Sequence, residues 1–156
     1  MRLIVSAFKT PWGYLKVKYD EHYLYTAAFD IQLDAESLEE TNQLTKQISN
    51  EIDHYFQNPK HLFNLPLKPE GSTYQKIVWN RLLAIPSGQT LFYGDLSHHL
   101  KSSPRAIGQA CKKNPIALFI PCHRVIAKEG MGGYMGNKEE NINIKFHLLR
   151  HEGKLI

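Results

Sequence analysis

Apolar and polar residues alternate along the first thirty positions. Residues 3–8, Leu3-Ile4-Val5-Ser6-Ala7-Phe8, read as a strand. Leu15, Val17 and Tyr19 then alternate with Tyr14, Lys16 and Lys18, the two-residue period of a half-buried strand. Between them Thr10-Pro11-Trp12-Gly13 carries turn chemistry, with proline presetting φ and glycine free to take positive values. Asp20-Glu21-His22 turns the chain again, and Tyr23 to Phe29 supplies a third strand, so the opening predicts an antiparallel meander. The period then changes. Across 35–57, Leu44, Ile48, Ile52 and Tyr55-Phe56 recur at spacings of three and four, which predicts a helix stopped by Asn58-Pro59. Residues 60–71 hold Pro66, Pro69 and Gly71 and read as an extended linker.

Beyond the linker, Ser72-Thr73-Tyr74-Gln75 is a capping-box pattern. The helix that follows buries Tyr74, Ile77, Val78, Leu82 and Ile85 and ends at Pro86-Ser87-Gly88. A short strand, Thr90-Leu91-Phe92, precedes a helix near Tyr93–Leu100. Ser103-Pro104 then offers an N-cap and a first-turn proline to a helix over Arg105–Lys113, closed by Asn114-Pro115. Helix, tight turn, helix over this length predicts a helix-turn-helix. A last helix, about Asn141 to His151, packs through Ile142, Ile144, Phe146, Leu148 and Leu149 and ends at Glu152-Gly153 with glycine at C′. The expected fold class is α/β (α+β): a small N-terminal antiparallel sheet with a helix over residues 1–68, and a C-terminal helical domain with a helix-turn-helix, winged-helix-like, over 69–156.

Composition narrows the class. A chain of 156 residues makes one domain, or two small ones sharing a core. No window is long and apolar enough to span a membrane, and Met1 to Ser6 is too short for a secretory leader, so a cytoplasmic protein is expected. The net charge of +4 is unevenly placed. Residues 20–53 are acid-rich, whereas Lys101, Arg105, Lys112, Lys113, Arg124 and Lys128 follow one another with no carboxylate between, which points to a polyanionic partner at this stretch. The two cysteines, Cys111 and Cys122, are expected to be reduced. There is no C-x-x-C, and the eight histidines are scattered, so no metal and no cofactor is expected.

The unusual chemistry lies in Ile120-Pro121-Cys122-His123-Arg124-Val125, entered by the apolar run Ile116–Ile120, which reads as a buried strand ending at a bend. Thiolate is the reactive form of cysteine, with a free pKa of about 8.5 that neighbouring cations lower. His123 and Arg124 are two candidates for such cations. From the hexapeptide alone, an activated nucleophile and a buried cysteine acting as a small hydrophobe both remain open. The preceding helix has a face of small residues, Ala106, Gly108 and Ala110, beside polar Arg105, Gln109 and Lys112. A helix is about 10–12 Å across and a minor groove about 6 Å wide, so only such a face could press into a widened groove. Tight packing on a neighbouring helix explains the same composition. The glycine-rich segment 130–136 reads as a loop that lets a planar ligand approach the backbone, or as a plain loop.

Taken in order, these pieces resemble the O6-alkylguanine-DNA alkyltransferase family (methylated-DNA–protein-cysteine methyltransferases). The resemblance runs through Thr10-Pro11-Trp12-Gly13, Tyr55-Phe56, Leu65-Pro66-Leu67, Ile85 to Thr90, Ser103 to Gly108, Asn114-Pro115, Pro121 to Val125, Gly133-Tyr134 and His151-Glu152-Gly153. It implies that Cys122 irreversibly takes the alkyl group from O6-alkylguanine in double-stranded DNA, approached through the minor groove, once per molecule and without a cofactor. It implies catalytic roles for Cys122, for His123 as base through a water, for Glu152 as its orienter and for Tyr93 as hydroxyl donor to the leaving guanine. Arg105 would fill the space of the flipped nucleotide. Asn114 would tie the recognition helix to the cysteine, Tyr134 and Met135 would line the pocket, and backbone near Val125 would read the guanine edge. Ala106, Gly108 and Arg124 complete the expected substrate contacts. The protein is expected to act as a monomer, with cooperation between copies along DNA left open. Phe92, in place of a frequent serine, Met135, in place of a small or polar residue, and a short turn before Arg105 depart from the pattern and bear on pocket size. Two other classes compete. A DNA-binding sensor or regulator would leave the cysteine idle, and a cysteine hydrolase would need an oxyanion hole of which the sequence gives no sign.

Overall fold

The computed structural model describes every residue except Met1, Asp34, Glu36, Ser37, Glu39, Met131, Asn137, Leu155 and Ile156. The chain divides into two compact units, Met1–Glu70 with Pro115–Phe119, and Gly71–Asn114 with Ile120–Ile156.

Alternation builds the first unit. Strands β1 (Ile4–Thr10), β2 (Gly13–Tyr19) and β3 (Leu24–Asp30) form an antiparallel sheet in the order β1-β2-β3. Gly13 closes the first hairpin at φ 113, a conformation that favours glycine, and the Thr10 hydroxyl donates to its carbonyl at 2.8 Å. Leu15, Val17 and Tyr19 are buried while Lys16 and Lys18 point to solvent, as the two-residue period requires. Helix α1 (Gln43–Gln57) packs against β1 through Leu44, Ile48, Ile52 and Tyr55. It begins later than residue 35 because Asn42 caps it. The Asn42 side chain accepts the Thr45 N–H at 3.1 Å, and the Thr45 hydroxyl accepts the Asn42 N–H at 2.9 Å. The expected first turns, around Glu36, Ser37 and Glu39, lie outside the described residues. The linker is ordered by β3: Leu24 N–H donates to Pro66 and Lys68 N–H to Leu24, both at 2.9 Å.

The apolar run before the cysteine is buried but is not the strand its composition suggests. Ile116 makes an isolated bridge to Ala27, and Leu118 turns with φ 72. The five residues 115–119 thus belong to the first unit, between neighbours that belong to the second.

In the second unit, α2 (Thr73–Leu82) carries the expected cap, with the Ser72 hydroxyl accepting the Gln75 N–H at 3.1 Å. Its buried face is Val78, Trp79 and Leu82, whereas Ile77, expected inside, is half exposed. Trp79 takes the inner position because its indole N–H finds the Ala110 carbonyl at 2.8 Å, so a large ring is buried with its polar atom satisfied. A two-residue strand β4 (Leu91–Phe92) leads into α3 (Tyr93–His99), a tight turn and α4 (Pro104–Lys112). α3 and α4 pack on one another as a helix-turn-helix. Strand β5 (Val125–Ile126) pairs parallel with β4, placing Val125 opposite Leu91, so the start of α3 and the end of the cysteine motif are held side by side. Helix α5 (Glu139–His151) ends with Gly153 at φ 87, where Lys154 N–H reaches the Leu149 carbonyl at 2.9 Å.

Candidate active site

Pro121 sets the presentation of the thiol. With φ −82 and ψ 64 it centres an inverse γ-turn, and Cys122 N–H donates to the Ile120 carbonyl at 2.8 Å. Residues Cys122–Arg124 continue as one 3-10 turn in which all three side chains are buried. The Asn114 amide donates to the Ile120 carbonyl at 2.9 Å and also hydrogen-bonds the Cys122 sulfur. One buried side chain thereby fixes the end of α4's connection to the cysteine turn.

Cys122 lies in the wall of a cavity of about 430 Å³ shared with Tyr93, Arg105, Gly108, Tyr134 and Met135, within the range of small-ligand sites. Pro104, Gln109, Cys111, Lys112, Gly133 and Gly136 complete the lining. Six of the expected site residues therefore meet in one cavity. His123, Asn114, Glu152, Arg124 and Val125 stand behind it, and Ala106 sits on α4 away from it. Gly108 has open space where a Cβ would project, which leaves room at the mouth. At Gly132 (φ 73) a Cβ would lie 2.9 Å from the Tyr93 ring, so only glycine lets this loop close on the tyrosine. Met135 holds the left-handed region at φ 50, a costly conformation for a methionine, at the pocket edge.

Behind the sulfur runs a buried relay. His123 Nε2 donates to Glu152 Oε2 at 2.9 Å, with both side chains fully enclosed. The other ring nitrogen, Nδ1, receives no hydrogen bond from a protein group, which leaves its lone pair available for a proton. Arg124 grips the same carboxylate with Nε and Nη2, each at 2.9 Å, and donates Nη1 to the Ile85 carbonyl at 2.7 Å. Burial opposes ionisation of Glu152, but the hydrogen bonds and charges of His123 and Arg124 outweigh it and hold the carboxyl well below the usual carboxylate range. Burial keeps His123 neutral, against the pull of Glu152.

Two expectations change here. Arg124 does not reach substrate space, since its guanidinium is spent on Glu152. Nor do His123 and Arg124 act as cations on the thiol. Burial pushes the Cys122 thiol up to about 11, against the Asn114 hydrogen bond and the charge of Lys145, which pull it down. The resting nucleophile is therefore a thiol awaiting a base. Because its pKa is raised, the thiolate fraction grows about tenfold per pH unit across the neutral range. Modification of the free protein by iodoacetamide is expected to accelerate steadily from pH ~7 to pH ~9 without a plateau. Levelling near pH ~7 would show a stabilised thiolate instead.

Lys145 is a site residue that the sequence reading missed. It is fully buried on α5 and donates Nζ to the carbonyls of Val125 at 2.7 Å and Gly133 at 2.8 Å, tying the cysteine motif to the glycine loop. Its ammonium stands 5.7 Å from the Tyr93 ring centroid. Burial lowers its pKa to about 8, and the two thiols counter this. Burial, and then the neighbouring thiols, raise the Tyr93 phenol well above its ordinary value, so it stays protonated and able to donate. On α4, Ile107 and Ala110 face inward and Cys111 lines the cavity, while Arg105, Gln109 and Lys112 are exposed and border the same cavity, with Lys113 just past the helix end, so one helix carries both a cavity wall and a basic surface.

The arrangement defines a class: a helix-turn-helix protein with a cysteine nucleophile, backed by a histidine–glutamate pair, in a cavity beside its second helix. Comparison with known proteins names the family. Residues 3–69 match the 6-O-methylguanine DNA methyltransferase ribonuclease-like domain, and residues 73–154 match the DNA binding domain of the same family. The methylated-DNA–protein-cysteine methyltransferase of Methanosarcina acetivorans is 34% identical over 155 residues, covering 95% of this chain and 97% of that protein. That of Saccharolobus solfataricus is 31% identical over 151 residues, covering 97% and 96%. Among solved structures, the Mycobacterium tuberculosis O6-methylguanine methyltransferase superposes with a TM-score of 0.78 at 28% identity, covering 97% of this chain and 93% of that one. The same mycobacterial protein in complex with DNA gives a TM-score of 0.75 at 28% identity, over 94% and 90%. The chain belongs to the 6-O-methylguanine DNA methyltransferase family.

Proposed function

We infer that this protein repairs DNA by moving the alkyl group of O6-alkylguanine onto Cys122 and keeping it there. The observation that carries this reading is the Cys122 sulfur in the wall of a cavity with the enclosed His123–Glu152 pair behind it. The thiol proton passes through a water to His123 Nδ1, and Glu152 holds the ring in the tautomer that can accept it. The thiolate attacks the alkyl carbon as the carbon–O6 bond breaks, and the bond pair leaves on the guanine. The Tyr93 hydroxyl, kept protonated by burial, meets the charge that develops there. The thioether product has no leaving group within reach of any base in the site, so each molecule acts once.

The lesion lies inside a duplex and must be turned out of the stack, at a cost of a few kcal/mol. α4 is suited to the minor groove by Ala106 and Gly108, since Ala110 is buried against Trp79, with Arg105 at its exposed start to occupy the space left by the flipped nucleotide. Lys112 and Lys113 supply phosphate contacts. The protein acts as a monomer, and among the described residues no helix is long and apolar enough to cross a membrane. The direct test is to incubate the protein with a duplex holding O6-methylguanine and take the intact mass. A gain of one methylene on the Cys122 peptide is expected; a bound but unmodified protein would favour a lesion sensor. Arg105→Ala should slow transfer from the duplex on the order of tenfold or more, because the flipping cost is no longer offset. It should leave transfer from the free base O6-benzylguanine nearly unchanged. Equal losses on both substrates would place Arg105 in the pocket chemistry instead.

A further inference from the structure

The first unit brings together three side chains that sequence spacing keeps apart. Glu51 and His54 lie three residues apart on one face of α1, near its end. The Asn58-Pro59 turn then folds the chain back. His61 N–H donates to the Asn58 carbonyl at 2.9 Å and Lys60 N–H to the Asn58 side chain at 3.1 Å. This returns His61 to the helix, where its Nε2 lies 2.7 Å from Glu51 Oε2, with His54 Nδ1 at 3.9 Å from the same oxygen. All three ligand atoms fall within 4.8 Å of one another. We propose that Glu51, His54 and His61 bind one divalent zinc ion, which fastens the 58–64 turn to the end of α1.

Two imidazoles and a carboxylate form a donor set for zinc or another first-row divalent metal, and not for calcium or magnesium, which take oxygen ligands. Bonds of about 2.0–2.1 Å to a tetrahedral zinc put donors about 3.3 Å apart, a value that the 2.7 and 3.9 Å separations straddle. Small side-chain rotations therefore suffice. Two of the three ligands are already held from behind. Glu51 Oε1 accepts the Asn64 backbone N–H. The His61 ring stands edge-on to Phe63, which packs in turn on Tyr55 and Phe119. Support of this kind orients metal ligands. The carboxylate is largely buried, while His54 is more than half exposed and leaves an entry path and a fourth position for water. On binding, zinc replaces the proton shared between His61 and Glu51.

A plain hydrogen-bond network would explain Glu51, His61 and Asn64, but it does not include His54, whose ring only stands edge-on to His61 at 5.2 Å between centroids. That difference sets the test. Zinc chloride is titrated into the full chain and into His54→Ala, with melting curves in zinc and in EDTA. Expected are one zinc per chain and a melting temperature that zinc raises and EDTA restores. His54→Ala should bind zinc about tenfold or more weakly, with its metal-free melting temperature little changed, since the Glu51–His61 hydrogen bond survives and only an edge contact between partly exposed rings is lost. Cobalt(II) in place of zinc should give a spectrum without a thiolate charge-transfer band. Equal zinc affinity in the two proteins, no shift in melting temperature, or a thiolate band assigning the metal to Cys122 or Cys111 would each overturn the proposal.

Discussion

Cys122→Ser abolishes transfer, lowering it by at least about 10³-fold to below detection, and leaves affinity for an alkylated duplex intact. The two halves of this result have separate causes. A serine hydroxyl in this burial stays protonated far above any working pH, and a neutral hydroxyl does not displace guanine from an alkyl carbon. Its volume is close to that of the thiol, and the Asn114 amide that meets the sulfur can meet an oxygen in the same place, so the fold should not suffer. The proposed DNA-contacting surface is the outer face of α4, which does not change. Intact-mass measurement after exposure to O6-methylguanine DNA, with a binding assay on the same sample, gives both readouts. Cys111→Ser is the matched control. Cys111 lines the same cavity, but burial, reinforced by Cys122, raises its thiol even further, so it should make little contribution as an acceptor. The methylene should therefore still appear on the Cys122 peptide of Cys111→Ser. Transfer that survives Cys122→Ser, or that moves to Cys111, would refute the assignment.

How far these residues could be read from the chain depends on how local their causes are. The hairpins, the Ser72–Gln75 capping box, the Ser103-Pro104 helix start and the Gly153 stop rest on interactions spanning a few residues, and the alternation or cap motif was visible. The partner of Arg124 was not. Arg124 stands two residues after Cys122, which made it a candidate cation for the thiol, yet its carboxylate lies 28 residues downstream and no local pattern marks it. Lys145 was missed because a lysine in a helical pattern reads as solvated. It is buried here only because two carbonyls from different segments converge on it. Cys111 had a signal that went unused: it falls three residues after Gly108 on α4, the spacing that puts both on the cavity side. The run Ile116–Ile120 misled because β-rich composition records burial and cannot register the positive φ of Leu118. His54 and His61 meet through a turn whose direction the sequence does not specify.

Glu152→Gln should cost about 3–5 kcal/mol of stability, the largest effect expected of any conservative change in this site. Glutamine keeps the shape and can accept from His123 and Arg124, but it cannot neutralise the guanidinium, which stays enclosed beside it. A buried cation without a counter-charge is the costly species, more so than a lost hydrogen bond. Adding Arg124→Met should therefore restore much of the loss, because an apolar side chain of similar length removes the stranded charge. Transfer should not return with it, since no carboxylate charge remains to stabilise the imidazolium that forms when His123 takes the thiol proton. Stability and catalysis are thus separated by one double variant. The pH dependence follows from the same pair. The Glu152 carboxyl is held below its unfolded value, so its contribution is complete above pH ~4.5 and is lost as acid protonates the folded form. His123 is likewise depressed by burial, so its contribution begins to fade once the pH falls below about 6.5, where the unfolded chain takes up the proton first. Wild-type stability should decline from pH ~6.5 downward and more steeply below pH ~4.5, and Glu152→Gln should lose the steeper part. Urea unfolding at a series of pH values measures both. An acid limb of the same slope in Glu152→Gln would mean that the carboxylate does not carry the buried charge balance, and the relay behind Cys122 would have to be drawn without it.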